Sequence, residues 1–377
     1  MTTLNVVLDE MLSPIETGVS RYSRELTQAL ITHAPPACFV EGIVSASTEQ
    51  EYQFIAESLP GLQGLFKSAL ARRDLTAAWQ HGFTPVPSGM IHAPSLLAPL
   101  RNHDRVHTRG NQVAVTIHDV TAWTHPEFLA SRTVSWTKAM AQRAFKYADA
   151  IVVPTHAVAA ELTDILNFGD RVRVIGGAVS PSLKLPADAD RVAEELGLPE
   201  RYLLAMGRIG AGNGIEQVLD ALARPETGDI PLLVVDGDEP SGALQSAASA
   251  AGLAPGRVTP IGQAGDAALG VLLDRATAFL YPNLANGFGM PMLEAFRFGT
   301  PVIHSATPSL LEVAGDAGLA VSIDDLTMFP RLLADAIAEV VADGELRRRL
   351  AILGSDRAKL FSWRGSAEAV WQLHADL

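Results

Sequence analysis

The chain is short of cysteine, of positive charge and of long apolar runs, and each shortage removes a class of protein. Its single cysteine, Cys38, can close no intramolecular disulfide and builds no zinc site alone, which fits a reducing cytoplasm and makes a small buried hydrophobe its expected role. Lys and Arg number 29 against 42 Asp and Glu, a formal charge of -13 over 377 residues. That surface potential has the wrong sign for a polyphosphate partner, so no nucleic acid is expected. No apolar stretch reaches the roughly 18 residues that a bilayer span needs, and Met1 to Asp9 show no basic segment followed by an apolar core. A cytoplasmic protein is expected. Phe66 to Leu75 reads as a short helix with Phe66, Leu70 and Arg73 at helical spacing, and Arg101, His103, Arg105, His107 and Arg109 follow. A solvated face is the plain reading; peripheral contact with the inner face of the membrane is the functional one.

What is present is a globular composition, 48% hydrophobic and 19% charged, in a chain long enough for two domains. Short aliphatic runs alternate with stretches of helical period: Leu4–Leu8 then Val19–His33, Ala114–Ile117 then Ser131–Tyr147, Ala150–Val153 then Ala157–Leu166. That alternation marks βαβ units and a parallel sheet. After a Pro- and Asp-containing stretch at 180–190, the expected hinge, it resumes. Strands are predicted at Tyr202–Met206, Leu232–Val235, Val258–Ile261, Ala278–Tyr281 and Pro301–Ile303, with helices at Ile215–Ala223, Gly242–Ala251, Asp266–Ala276, Met292–Phe298 and Met328–Leu350. Two doubly wound α/β halves follow, and in such sheets ligands sit beyond the carboxyl ends of the strands.

The loops after strands therefore carry the candidates. Thr17-Gly18 opens the first helix, where a bare backbone and exposed amides suit an anion. His118 and Asp119 end the strand Ala114–Ile117; they can hydrogen-bond a polar ligand, or Asp119 can close an Asx-turn beside a partly buried imidazole. His125, before Pro126, reads as structural. Met206 to Glu216 holds four glycines and Arg208 ahead of a helix, a phosphate cradle or a plain flexible turn, and neither a Walker A loop nor a dinucleotide fingerprint. In Tyr281 to Ile303, Gly287 and Gly289 bare the backbone, Pro291 suits a first helical turn, and Glu294 sits one turn inside an apolar helix. There a buried carboxylate needs a partner such as paired ribose hydroxyls. The pair Asp236 and Asp238 reads as a tight turn at a strand end.

The run Asn286-Gly-Phe-Gly-Met-Pro-Met-Leu-Glu294-Ala-Phe-Arg-Phe-Gly-Thr-Pro-Val-Ile303 resembles the signature of retaining glycosyltransferase family 4, E-G-F-G-L-P-x-L-E-A-x-x-x-G-x-P-V. Thr17-Gly-Val-Ser-Arg-Tyr22, Thr116-Ile-His-Asp119, His125-Pro-Glu127, Met206-Gly-Arg-Ile209, Pro308 to Ala317 and Phe361-Ser-Trp363 match that family in order. The resemblance covers almost the whole chain and is nearest to the mannosyltransferase-like branch. It implies the GT-B architecture, two Rossmann-like doubly wound domains facing across a cleft. These would be an acceptor domain, 1–182 with the final helix 362–377 crossing back, and a nucleotide-sugar donor domain, 183–361. It implies no metal and no cofactor beyond the substrate, GDP-mannose or another nucleotide sugar such as a UDP-sugar. The acceptor would be a glycan, a lipid-linked sugar or a small molecule.

Carried over by position, Glu294 would hold the ribose, and the backbone at Gly287, Phe288, Gly289 and Met290 would meet the donor sugar. Gly18 and Arg208 would touch the diphosphate, and His118, with Asp119 beside it, the sugar. Reaction would be front-face displacement with retention, assisted by stabilising charge on the leaving group. Two positions depart from the pattern: Asn213 stands where the phosphate loop has lysine, and Asn286 where the signature opens with glutamate. Three readings follow: a working transferase with an unusual donor, in which Asn213 and Asn286 jointly reshape the sugar pocket and Arg297 or Arg275 supplies the missing cation; a catalytically impaired binding or scaffold partner of another glycosyltransferase; or an epimerase or hydrolase on the same architecture.

Overall fold

The computed structural model describes residues 2–13, 17–83, 85–103, 110–210, 212–235 and 242–377. The chain divides into two compact units, Met1–Gly177 with Ser362–Leu377, and Ala178–Phe361.

The first unit holds β1 (Thr2–Val7), β2 (Cys38–Ala46), β3 (Leu65–Ala71), β4 (Met90–Ala93), β5 (Gln112–Thr116), β6 (Ala150–Val153) and β7 (Val172–Val174). Its helices are α1 (Gly18–Thr32), α2 (Glu49–Ser58), α3 (Arg72–His81), α4 (Thr121–Thr124), α5 (Ser131–Tyr147) and α6 (His156–Ile165). The second unit has β8 (Leu203–Met206), β9 (Leu232–Val235), β10 (Val258–Pro260), β11 (Ala278–Tyr281), β12 (Val302–Ser305) and β13 (Leu319–Val321). Before, between and after them run α7 (Ala189–Glu195), α8 (Ile215–Leu222), α9 (Gly242–Ala250), α10 (Asp266–Arg275), α11 (Met290–Arg297), α12 (Pro308–Ala314), α13 (Phe329–Ala342) and α14 (Gly344–Ala358). The last helix, α15 (Trp363–Asp376), belongs to the first unit.

Strand order is β3-β2-β1-β4-β5-β6-β7 in one sheet and β10-β9-β8-β11-β12-β13 in the other, and all of these neighbours pair in parallel. A parallel sheet is covered on both faces, so its strands are apolar throughout rather than alternating. β11 shows how: Ala278 and Leu280 enter one core cluster and Phe279 and Tyr281 the other, because successive side chains point to opposite faces. Order reverses between β1 and β4 in the first sheet and between β8 and β11 in the second, which are the switch points where ligands of such sheets bind.

Three expectations are corrected. Phe66 to Leu75 is no helix: β3 pairs with β2 through Leu65↔Gly42 and Phe66↔Ile43, and the helix begins at Arg72. The helical spacing of three side chains yielded to the backbone pairing offered by the sheet edge. Met328–Leu350 is two helices, because the Asp343 side chain accepts from Glu345 N at 2.8 Å and Leu346 N at 2.9 Å and starts α14 afresh. Cys38 opens β2 and is half-buried rather than enclosed. β2 carries no clean period, since Glu41 and Gly42 interrupt it; at Gly42 a Cβ would lie 2.4 Å from Leu8 Cδ1 and 2.6 Å from Leu65 Cδ2, so only glycine lets these side chains close over the strand.

α15 packs on α1. Trp371 Nε1 donates to Leu30 O at 3.2 Å, and Ser366 Oγ to Gly176 O at 2.7 Å. No helix among the described residues is long and apolar enough to cross a membrane.

Candidate functional site

In the second unit, the loops after β8 and β11 meet at the switch point. Leu284 N donates to Gly212 O at 2.9 Å. Gly214, the N-cap of α8, has φ +74°, and a Cβ on it would lie 2.3 Å from Pro282 O. Glycine is thus required twice there, by the left-handed backbone and by the approach of the second loop. Arg208 is exposed at the start of the first loop. Asn213 turns inward, its Nδ2 within 3.4 Å of both Arg208 O and Gly210 O. The side chain at the family's lysine position therefore staples its own loop and presents no charge.

The second loop is tied from four directions. Asn286 Nδ2 donates to the Tyr281 hydroxyl at 2.6 Å, and Asn286 Oδ1 accepts from Phe288 N at 2.8 Å. Ser309 Oγ donates to Asn286 O at 2.6 Å, and Ser305 Oγ donates to Asn283 O. Gly289, left-handed at φ +83°, caps α11, and Pro291 lies in the first turn. Phe288 N–H is donated within the loop, and Gly289 and Met290 stand at the start of α11. Glu294 is fully buried in α11. Burial, opposed by the Asn286 bond and assisted by the Glu294 charge, pushes the Tyr281 phenol above its usual range, so it stays protonated.

Arg297 is the last residue of α11, about 12 Å along the helix from Gly289. Arg275, in the last turn of α10, is bonded to Asp190. Asp236 and Asp238, like Arg105, His107 and Arg109, lie outside the described residues.

In the first unit the switch-point loops carry Asp9, Glu10 and Ser95. Glu10 accepts from Ser95 Oγ at 2.9 Å and pairs with Arg72 at 3.0 Å. Asp9, buried, accepts from Ser45 N, and its burial raises its pKa. At the N-terminus of α1, Thr17 Oγ1 accepts from Ser20 N at 3.2 Å and Ser20 Oγ from Thr17 N at 2.7 Å. A Cβ on Gly18 would touch nothing within 4 Å, so the glycine leaves space rather than relieving a clash. His118 is half-buried, with Nε2 2.8 Å from Pro94 O. Burial pulls its pKa below the usual imidazole value against the Pro94 bond and the charges of Asp119 and Glu10. A neutral ring facing a carbonyl must carry its proton on Nε2, which leaves Nδ1 as an acceptor for a hydroxyl. Asp119 Oδ1 accepts from Thr121 N at 2.9 Å, the Asx-turn. His125 Nδ1 lies 3.1 Å from Glu127 Oε1.

Sequence reasoning did not anticipate the hydrogen bonds of Tyr281, Ser309 and Glu10, nor the place of Tyr22 in the first unit. Tyr22 and Ser309 stand inside family motifs. No spacing rule connects them to their partners across the sheet.

The description Glycosyltransferase Family 4 matches residues 17–183, and Glycosyl transferases group 1 matches residues 187–355. The chain belongs to glycosyltransferase family 4. The O-antigen chain mannosyltransferase B of Escherichia coli is 27% identical over 285 residues, 73% of this chain and 71% of its own length. A D-inositol 3-phosphate glycosyltransferase of a Nocardioides species is 27% identical over 391 residues, 93% of this chain and 83% of its own. The MMP alpha-(1->4)-mannosyltransferase of Mycolicibacterium hassiacum is 25% identical, with 80% and 77% covered. Among solved structures, the sucrose-phosphate synthase of Thermosynechococcus elongatus superposes with a TM-score of 0.75 at 20% identity, over 100% of this chain and 99% of that one. HepE of Anabaena, in complex with UDP and glucose, gives 0.74 at 15%, both chains covered completely. These likenesses establish the α/β GT-B fold, with two Rossmann-like units. Family membership makes the chain a glycosyltransferase by class. Among the described residues no group of three or more His, Cys, Asp or Glu is placed to hold a metal ion.

Proposed function

We propose that this family 4 member transfers a hexose, with mannose preferred, from a nucleoside-diphosphate sugar to a glycan, a lipid-linked sugar or a small-molecule acceptor. Transfer retains the anomeric configuration and needs no metal. The observation that carries this reading is the joining of the β8 and β11 loops at the switch point, ahead of α11 with Glu294 buried inside it. The Arg208 guanidinium supplies positive charge where a diphosphate leaves, the backbone of Gly289 and Met290 meets the donor sugar, and Glu294 accepts from the ribose hydroxyls. His118, neutral and with Nδ1 as acceptor, takes a hydroxyl of the donor sugar, and the first turn of α1 at Gly18 takes diphosphate oxygens. The names of the mannosyltransferase relatives support the sugar, and the UDP bound by HepE supports a nucleotide donor. A lipid-linked acceptor would bring the protein to the inner face of the membrane.

Thermal shift and calorimetry against GDP, UDP, ADP and dTDP and their sugar conjugates, with and without EDTA, test the reading. A base-specific stabilisation that survives EDTA is expected. Absence of binding by the folded protein overturns it. A second reading, an impaired glycosyltransferase-like partner of an active enzyme, is favoured by one observation. Both asparagines at the family's charged positions spend their amides on their own loops. Nucleotide binding without transfer or hydrolysis would select it.

A further inference from the structure

Three motifs far apart in the chain, Thr17 to Tyr22, Thr116 to Asp119 and Phe361 to Trp363, meet in the first unit through their rings. The His118 and Tyr22 ring centroids are 4.8 Å apart at an interplanar angle of 86°, and Tyr22 and Trp363 are 5.6 Å apart at 61°. Tyr22 and Trp363 are both buried.

Among the described residues, the Nε2 bond to Pro94 O is the one hydrogen bond that holds the His118 ring. A ring held at one atom can still swing about that bond and carry Nδ1 away from its target. The perpendicular Tyr22 ring removes that freedom. Tyr22 is held in turn by Trp363, the first residue of α15. That helix start is fixed by Ser362 Oγ, which accepts from Gly365 N at 3.1 Å, and by the Ser366 bond to Gly176 O. We propose that Tyr22 and Trp363 are positioning residues for His118, so that docking of the final helix on the first unit sets the plane of the imidazole. This rests on the reading that His118 contacts the donor sugar. It assigns to the Phe361-Ser-Trp363 motif a role at the site that its position near the chain's end does not suggest.

The test uses the full chain labelled at histidine, with His118 ring signals assigned by their loss in His118→Gln. The charged neighbours that face His118 are Glu10 and Asp119, and neither is altered. In Trp363→Leu and Tyr22→Leu, His118 should titrate closer to the free imidazole value, and its 15N shifts should move from the single Nε2–H tautomer toward a mixture. Trp363→Phe, which keeps a ring at the position, should recover most of the change. On a donor that the wild type turns over, both Leu variants should lose about tenfold in kcat with KM for that donor within twofold. An unaltered His118 titration and tautomer in both Leu variants overturns the proposal. Should Trp363→Leu not fold, Tyr22→Leu decides alone. A wild type without transfer would count against the sugar-contact reading only, since the ring signals still decide whether the rings position His118.

Discussion

The clearest quantitative consequence of the first unit lies in a pair of histidines away from the proposed site. His92 on β4 and His374 on α15 are buried, at 0% and 2% exposure, with ring centroids 5.7 Å apart. His374 Nδ1 lies 3.1 Å from Gln112 Oε1. Burial pushes His92 down to about 4; burial, and then the neighbouring His92, push His374 down to about 3. Both native values lie below the unfolded value of about 6.5, so the native state prefers the neutral rings. The stability they allow is complete above pH 6.5 and is lost as pH falls, because the unfolded chain takes up protons that the native one refuses. At pH 5 each site has lost about 1.5 units at 1.36 kcal/mol per unit, about 2 kcal/mol, or about 4 kcal/mol for the pair. Since both native values lie below 5, the loss at that pH is governed by the unfolded chain. Asp9 and Glu161, whose pKa values burial raises, oppose this loss, because protonation relieves their desolvation. They are common to wild type and variant. All five tryptophans, Trp79, Trp123, Trp136, Trp363 and Trp371, lie in the first unit, so urea unfolding followed by their fluorescence reports that unit alone. The loss of stability between pH 7.5 and 5.0 should be about 4 kcal/mol smaller in His92→Leu/His374→Leu than in the wild type. Equal losses in the two proteins would refute the reasoning.

Three further outcomes are expected in the second unit. Gly214→Ala forces a Cβ to 2.3 Å from Pro282 O at φ +74°; it should cost about 1–3 kcal/mol of that unit's stability by calorimetry and abolish nucleotide binding, whereas an unshifted transition would show that the loops part freely. Glu294→Ala should weaken nucleotide affinity by about 1–3 kcal/mol in titration calorimetry, and unchanged affinity would remove it from the ribose. Asn286→Glu removes the donor that reaches the Tyr281 hydroxyl, so amide exchange across 283–289 should quicken even in Asn213→Lys/Asn286→Glu; exchange at the wild-type rate with raised turnover would show a degenerate site restored by its charges.

Apolar periodicity and loop composition placed β1, β5 and β6 of the first unit and β8 to β12 of the second, because a buried parallel strand leaves a local pattern in the residues themselves, whereas β2, β3, β4 and β7 went unread. The same locality made Asn286 to Glu294 and Gly207 to Gly214 visible as glycine-containing loops that lead into helices, and the glycosyltransferase family 4 signature legible. Tertiary structure decided what depends on residues distant in sequence. Sheet pairing turned Phe66 to Ala71 into a strand against its helical spacing, and strand order brought the β8 and β11 loops together. The side chains of Asn213 and Asn286 were committed to their own loops by geometry that no spacing reveals. The tautomer of His118 follows from a carbonyl 24 residues earlier in the chain. Trp363 meets Tyr22, and His374 meets His92, because the final helix packs back on the first unit, contacts between residues far apart in sequence that only the folded backbone can make.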